Sequence, residues 1–213
     1  MFGLPSTTEF NKKIPKQRFY ENLSITPALK RVFIEQIKSI VWTNKIAPAT
    51  ISVEAGKKVT EIEVFRITLG SNSIDEAALR QMDKQIPYHI LYVLEYNGKF
   101  RLCIGHKEAS TGENAFKVNN YYYSPWRDEQ EIGITVEGLN MDAVYESFVR
   151  QIGGITVEGG NTLDEQIAVN EQREKLRKEI EKLRAKVRKE KQFNRQIELN
   201  KQLKLLIKEL EEI

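Results

Sequence analysis

The sequence predicts an α+β fold, a mixed sheet with packed helices, followed by a long C-terminal coiled-coil-like helix or helical hairpin. Three observations carry this. Apolar, β-branched runs alternate with stretches of helical periodicity up to residue 153. Asn97-Gly98 joins two such runs, a strong hairpin signal because both residue types tolerate positive φ. From Asn161 to Ile213 there is neither Gly nor Pro, and Leu, Lys, Glu, Gln and Arg dominate, so helix propensity stays high. The expected organisation is an α+β globular domain over residues 1–153, a linker over 154–163 and a basic helical, coiled-coil tail over 164–213.

Residues 1–25 carry Pro5 and Pro15 among polar residues and read as irregular. A helix then starts at Thr26-Pro27, where Thr caps free N–H groups and the missing proline N–H costs nothing. Leu29, Val32, Phe33, Ile37 and Ile40 continue it on one face. Val41–Ile46 and Ile51–Val53 read as short strands separated by Pro48, and Val59–Leu69 as a longer strand ending at Gly70. Ser73-Ile-Asp-Glu76 has the form of a capping box, which predicts a helix from Ile74 to Gln85 stopped by Pro87. His89–Tyr96 and Lys99–His106 form the hairpin. Ala115–Tyr123 and Ile132–Val136 are expected strands, and Met141–Ile152 a helix with Val144, Phe148 and Ile152 inward, ended by Gly153-Gly154. The segment Gly133–Asn140 is echoed at Gly154–Asn161. Two copies are too few for a solenoid, so they read as two similar strand-to-helix transitions, the second leading into the capping box Thr162–Glu165.

The tail holds two apolar seams. Leu176, Ile180, Leu183 and Val187 follow 4-3-4 spacing, and Leu199, Leu203, Leu206, Leu210 and Ile213 follow 4-3-4-3. At 100° per residue the seams lie about 130° apart around a straight helix, so they cannot face one partner. Either the helix breaks near Lys191–Asn194 and doubles back, or it continues and each seam meets a different surface. The absence of a strong breaker favours continuity. An exposed seam is unfavourable in water, so a protein partner or self-association through these eight internal seam residues is expected.

Of the 213 residues, 40% are hydrophobic, which suffices for a core and excludes a wholly disordered chain. No apolar run approaches the roughly 20 residues of a bilayer span, so no membrane association is expected. The start lacks the basic and apolar regions of a secretory signal, and the single cysteine, Cys103, forms no internal disulfide; both readings point to the cytoplasm. Net charge is +3, but residues 171–213 hold 14 Lys/Arg against 9 Glu, so the positive excess belongs to the tail. It is densest from Arg173 to Lys191, where Arg173, Arg177, Lys178, Arg184, Arg188 and Lys189 are the candidates for nucleic-acid contact.

Ingredients for catalysis are scarce: two His, five Asp and one Cys. No cofactor or metal site is expected, and no catalytic residue is assigned. His89 and His106 read as structural residues at one end of the sheet, and Cys103 as a buried core residue. Glu61 and Glu63 share one strand face with Arg66 nearby, which invites comparison with strand-borne carboxylates of metal-dependent nucleases, but Phe65 stands where a lysine is expected. Glu95 and Lys99 read as a solvated pair flanking the turn. Tyr121–Tyr123 and Trp126 suit either base stacking or the core. Phosphate loops and nucleophile elbows are absent from the sequence.

Five segments carry a family resemblance: Phe2–Pro5, Ile86–Leu91, Leu94–Lys99, Gly138–Asp142 and Glu190–Asn200. Together they resemble the uncharacterised prokaryotic family called domain of unknown function 4391, over nearly the whole chain. The resemblance implies a small protein encoded beside DNA methyltransferases and helicases of restriction-like defence systems, and brings no catalytic residues with it. The expected function is that of a non-enzymatic accessory or adaptor protein whose tail docks a protein, a DNA-processing enzyme among the candidates. The alternatives are direct nucleic-acid binding through the basic helix and, third, a degenerate metal-dependent nuclease using Glu61 and Glu63.

Overall fold

A computed structural model describes residues 2–21, 25–109, 116–155 and 163–212. They fall into two compact units, Met1–Gly154 and Ile155–Ile213. The first is α+β. Its strands are β1 (Glu9–Ile14), β2 (Ile37–Ile46), β3 (Ile62–Leu69), β4 (His89–Tyr96), β5 (Lys99–Ala109), β6 (Phe116–Tyr123) and β7 (Arg127–Asp128). Its helices are α1 (Pro27–Glu35), α2 (Pro48–Ile51), α3 (Glu76–Gln85) and α4 (Met141–Gly153).

The strands make one mixed sheet in the order β1-β2-β3-β4-β5-β6, with β7 paired to β5. Every pairing is antiparallel except β3 with β4. A parallel pair needs a crossover, which α3 supplies. Successive side chains alternate between faces. Phe65, Ile67 and Leu69 of β3 and Ile90, Tyr92 and Leu94 of β4 share a cluster with Phe33 of α1 and Ala78, Leu79 and Met82 of α3. Ile62, Val64, Leu91 and Val93 alternate to the other face and are also buried. Helix α4 packs on β5, with Met141, Val144, Tyr145, Phe148 and Val149 buried. Its N-terminus carries the Asn140 cap, whose Oδ1 accepts the Ala143 N–H at 2.9 Å. Asp142, in its first turn, accepts the backbone N–H groups of Lys57 (2.7 Å), Lys58 (3.0 Å) and Val59 (2.7 Å). That carboxylate ties the loop before β3 to α4.

The hairpin forms as expected, with Asn97 and Gly98 at φ 48° and 73°. Several boundaries differ from expectation. Residues 9–14 are strand β1, an almost fully exposed edge whose EFNKKI sequence shows no alternation. Helix α1 stops at Glu35, and Ile37 and Ile40 belong to β2. Lys16 helps end the helix, its Nζ donating to the carbonyls of Ile34 (3.0 Å) and Ile37 (2.6 Å). The expected strand Val41–Ile46 forms the second half of β2, but Ile51–Val53 is not a strand: Pro48 opens the single turn α2, which takes in Ile51, and Glu54 makes an isolated bridge to Asn140. Helix α3 starts two residues late because Asp75, not Ser73, is the cap, accepting the Ala77 N–H at 2.8 Å. Residues 132–136 join no strand. Ile134 N–H donates to the Phe2 carbonyl and Thr135 N–H to Gln151 Oε1, each at 3.0 Å. The echoed segment after Gly154 and the cap at Thr162 lie outside the described residues.

The second unit is a pair of packed helices, α5 (Leu163–Lys189) and α6 (Phe193–Glu212). The tail is therefore a helical hairpin, and the expected continuity is overturned. The break is made by a residue that is no helix breaker in isolation. The Glu190 carboxylate accepts the N–H groups of Lys191 and Gln192, both at 2.9 Å, in the manner of a helix cap. Arg195 Nε lies 3.6 Å from its other oxygen. Gln196 reaches back across the turn to the Val187 carbonyl at 3.4 Å.

Candidate functional site

The two seams of the tail stand on different arms of the hairpin. Leu176 and Ile180 are buried on α5, while Leu183 and Val187, and Leu199, Leu203, Leu206 and Leu210 on α6, are half-buried. A shallow groove of about 540 Å³ runs between the arms, lined by Leu183, Leu205 and Leu206 with Lys182, Lys186 and Gln202 among its polar rim. Beyond the seam, α6 leaves large apolar side chains in water: Phe193 is 73%, Leu205 68% and Ile197 41% exposed. Of the six exposed large hydrophobic residues among those described, three stand on this one helix. Isolated exposed apolar residues need no explanation, but a concentration of them marks an association surface.

On the basic stretch of α5, Arg177 pairs with Glu174 and Arg184 with Glu181, each at 2.9 Å. Lys178, Arg188 and Lys189 are exposed and Arg173 is half-buried.

At the start of β3, Glu61 and Glu63 lie together as their spacing requires. Arg66 is not their partner. It alternates to the other face, where it meets Glu95 at 3.8 Å. The lysine that is missing at position 65 comes instead from the neighbouring strand: Lys45 Nζ lies 2.6 Å from Glu61 Oε2. A bulge between Trp42 and Asn44 shifts the β2 register by one residue, turning Lys45 to face Glu63. Sequence reading misses Lys45, because only strand pairing and the bulge place it there. Glu63 is 2% exposed, and its Oε2 has no hydrogen-bond partner. Burial, and then the adjacent Glu61 carboxylate, push its carboxyl up to about 7. The hydrogen bond to Glu61 raises the Lys45 ammonium above its ordinary value.

A second polar cluster is buried and closed. Asp83 of α3 and Lys107 of β5 face each other at 3.5 Å, with side chains 4% and 1% exposed. Asp83 Oδ2 accepts the hydroxyls of Tyr92 (3.1 Å) and Tyr121 (2.5 Å). Lys107 Nζ donates to the carbonyls of Ile86 (3.1 Å) and Tyr88 (2.6 Å). Burial raises the Asp83 carboxyl and lowers the Lys107 ammonium, and their mutual attraction opposes both shifts. Donors and acceptors are matched within the cluster, so it fastens α3 to the sheet and the α3–β4 connection to β5. A lone Asp on the apolar face of a helix, beside Leu79 and Met82, is the one signal for it in the sequence.

His89 and His106 are both buried. His89 packs edge-on to the Tyr145 ring at 4.4 Å, and burial, followed by the nearby Lys107 charge, lowers its imidazole to about 3. It is neutral throughout the physiological range. Cys103 is fully buried and burial raises its thiol well above the usual value, leaving it inert as a nucleophile. Glu95 and Lys99 do not pair. The register sets Lys99 opposite Tyr96, and it bonds Asp128 at 2.7 Å. Tyr121 is core, whereas Tyr123 and Trp126 hold the Arg101 guanidinium at 4.5 and 5.4 Å from their ring centres.

The family described as Domain of unknown function (DUF4391) matches residues 2–210. Neither a curated protein nor a solved structure matches the chain. Among the described residues no helix is long and apolar enough to cross a membrane, and no group of three or more His, Cys, Asp or Glu is placed to hold a metal.

The closed cluster makes a direct prediction. Removing one member of a buried pair strands the other charge, which costs about 3–5 kcal/mol, whereas removing both is much less harmful. Lys107→Met should lose about 3 kcal/mol in urea unfolding, and Asp83→Leu added to it should restore most of that. A double variant no better than the single one would contradict this assignment.

Proposed function

We propose, on the premise that the chain belongs to the DUF4391 family, whose description assigns no activity, that it is a non-enzymatic accessory or adaptor protein acting through its helical hairpin. The observation that carries the reading is the concentration of exposed apolar side chains on α6. Two helices cover only one stripe of each other, and here the stripe itself, Leu183 and Val187 against Leu199, Leu203, Leu206 and Leu210, is half-buried. The simplest occupant is the hairpin of a second copy. It presents the same seams and would complete a four-helix bundle around a common core. The charged residues then stay outside, forming the rim at which a further partner docks. A DNA-processing enzyme of a restriction-like defence system is the partner class the family resemblance implies.

Cutting the chain at Asn161 is expected to leave a folded body of monomer mass that recovers no partner, whereas the full chain runs as a dimer or larger by light scattering. Equal association with and without the tail would reject the reading.

A second reading is direct nucleic-acid binding by α5, favoured by the exposure of Lys178, Arg188 and Lys189. Arg177 and Arg184 would first have to leave Glu174 and Glu181. If all six predicted basic residues meet phosphates, counterion release lowers affinity on the order of a thousandfold between about 50 and about 200 mM salt. Absence of binding to duplex or single-stranded DNA and RNA at the lower salt would dismiss it.

A further inference from the structure

We propose that Glu61 and Glu63 form a binding site for a hard divalent cation of the magnesium class, independent of the hairpin. Both carboxylates project to one face at the start of β3, where alternation sets residues 61 and 63 together. Among the described residues Lys45 is the cation paired here, and it engages Glu61. Glu63 is the more telling member. Its side chain is buried in the middle of a sheet, between β2 and β4, and its Oε2 is met by no donor. A buried carboxylate oxygen of this kind calls for a partner, and a bound cation is one that satisfies it.

The groups facing this corner are few. Lys45 and Trp42 come from β2, and Tyr88 from the α3–β4 connection acts on Lys45. Trp42 Nε1 donates to the Asn44 carbonyl at 3.0 Å and also favours the ionised form of Glu63, while leaving Glu63 Oε2 without a donor. No histidine or thiol belongs to the set, which excludes the softer ligands that zinc and copper prefer. Magnesium binds through one or two carboxylates and retains several waters, and two glutamates with an opening to solvent meet that demand. The opening lies on the lysine side, where the Lys45 side chain is 37% and the Glu61 side chain 20% exposed. A cation entering there takes over Glu61 from the ammonium. Lys45, on its flexible stem, is then released toward solvent beside the ion, where it can meet an anionic group on a ligand of the metal.

Manganese, as a paramagnetic stand-in for magnesium, provides the test on the full-length protein by electron paramagnetic resonance titration of free ion. One saturable site per chain is expected, with magnesium competing. Glu61→Gln and Glu63→Gln should each weaken binding at least tenfold, while Glu95→Gln, on the opposite face, binds as wild type. Lys45→Met, which removes the competing ammonium, should bind no more weakly than wild type. Circular dichroism checks that each variant is folded, and the more exposed Glu61→Gln decides if Glu63→Gln is not. No saturable site up to millimolar manganese, or an Glu61→Gln protein that binds like wild type, would overturn the proposal.

Discussion

Apolar surface has to be kept from water, and the two units of this chain meet that demand to different degrees. In the body, β3 and β4 are buried on both faces, so the sheet needs helices on each. The parallel pairing of these two strands supplies one of them, because a parallel neighbour is reachable only through a crossover. Helix α3 is that crossover, and α1 joins it on the same face, while α4 covers the other. The tail is a pair of helices packed on each other. Leu176 and Ile180 are buried there, while the rest of both seams is half open and Phe193 and Leu205 stand in water.

The parallel pair also decides where polar side chains gather. Because β3 and β4 run together, their first residues adjoin: Ile62 is opposite His89 and Glu63 opposite Ile90. Lys45 arrives from β2 and Lys107 from β5, and Asp83 hangs over the same end from α3. Two carboxylate–lysine arrangements result, and they differ in kind. Asp83 and Lys107 are sealed, and each is satisfied by hydroxyls or carbonyls. Glu61, Glu63 and Lys45 are short of donors and open on one side. The first is a fastening, and the second has the character of a site.

Much of the fold is legible in the sequence because its strongest signals are local. Asn97-Gly98 sets its turn through backbone preference alone, Thr26-Pro27 starts α1, and Asn140 starts α4 through side-chain capping. What the sequence hides depends on contacts between distant residues. Ile37 and Ile40 fit a helical face as well as a strand, and the choice falls to strand because β3 is there to pair with and Lys16 takes carbonyls at the helix end. The break after Lys189 has no local breaker to mark it, for a related reason: Glu190 is a good helix former until its carboxylate turns onto the two N–H groups that follow it. The 130° offset between the seams was the legible sign of the turn, and it outweighed the lack of Gly or Pro. Of the candidate sites, Glu61 and Glu63 could be read from alternation, but Lys45 could not, since a bulge decides which face it takes.

The hairpin as an assembly surface is the central claim, and a spin label on α6 tests it most directly. Cys103 is fully buried, so Leu205→Cys would supply the one accessible thiol. Pulsed dipolar resonance on the singly labelled full-length chain would then report only distances between copies. The account predicts a defined inter-copy distance that disappears on dilution with unlabelled protein. A background-like decay, with no dipolar modulation at any concentration, would contradict it.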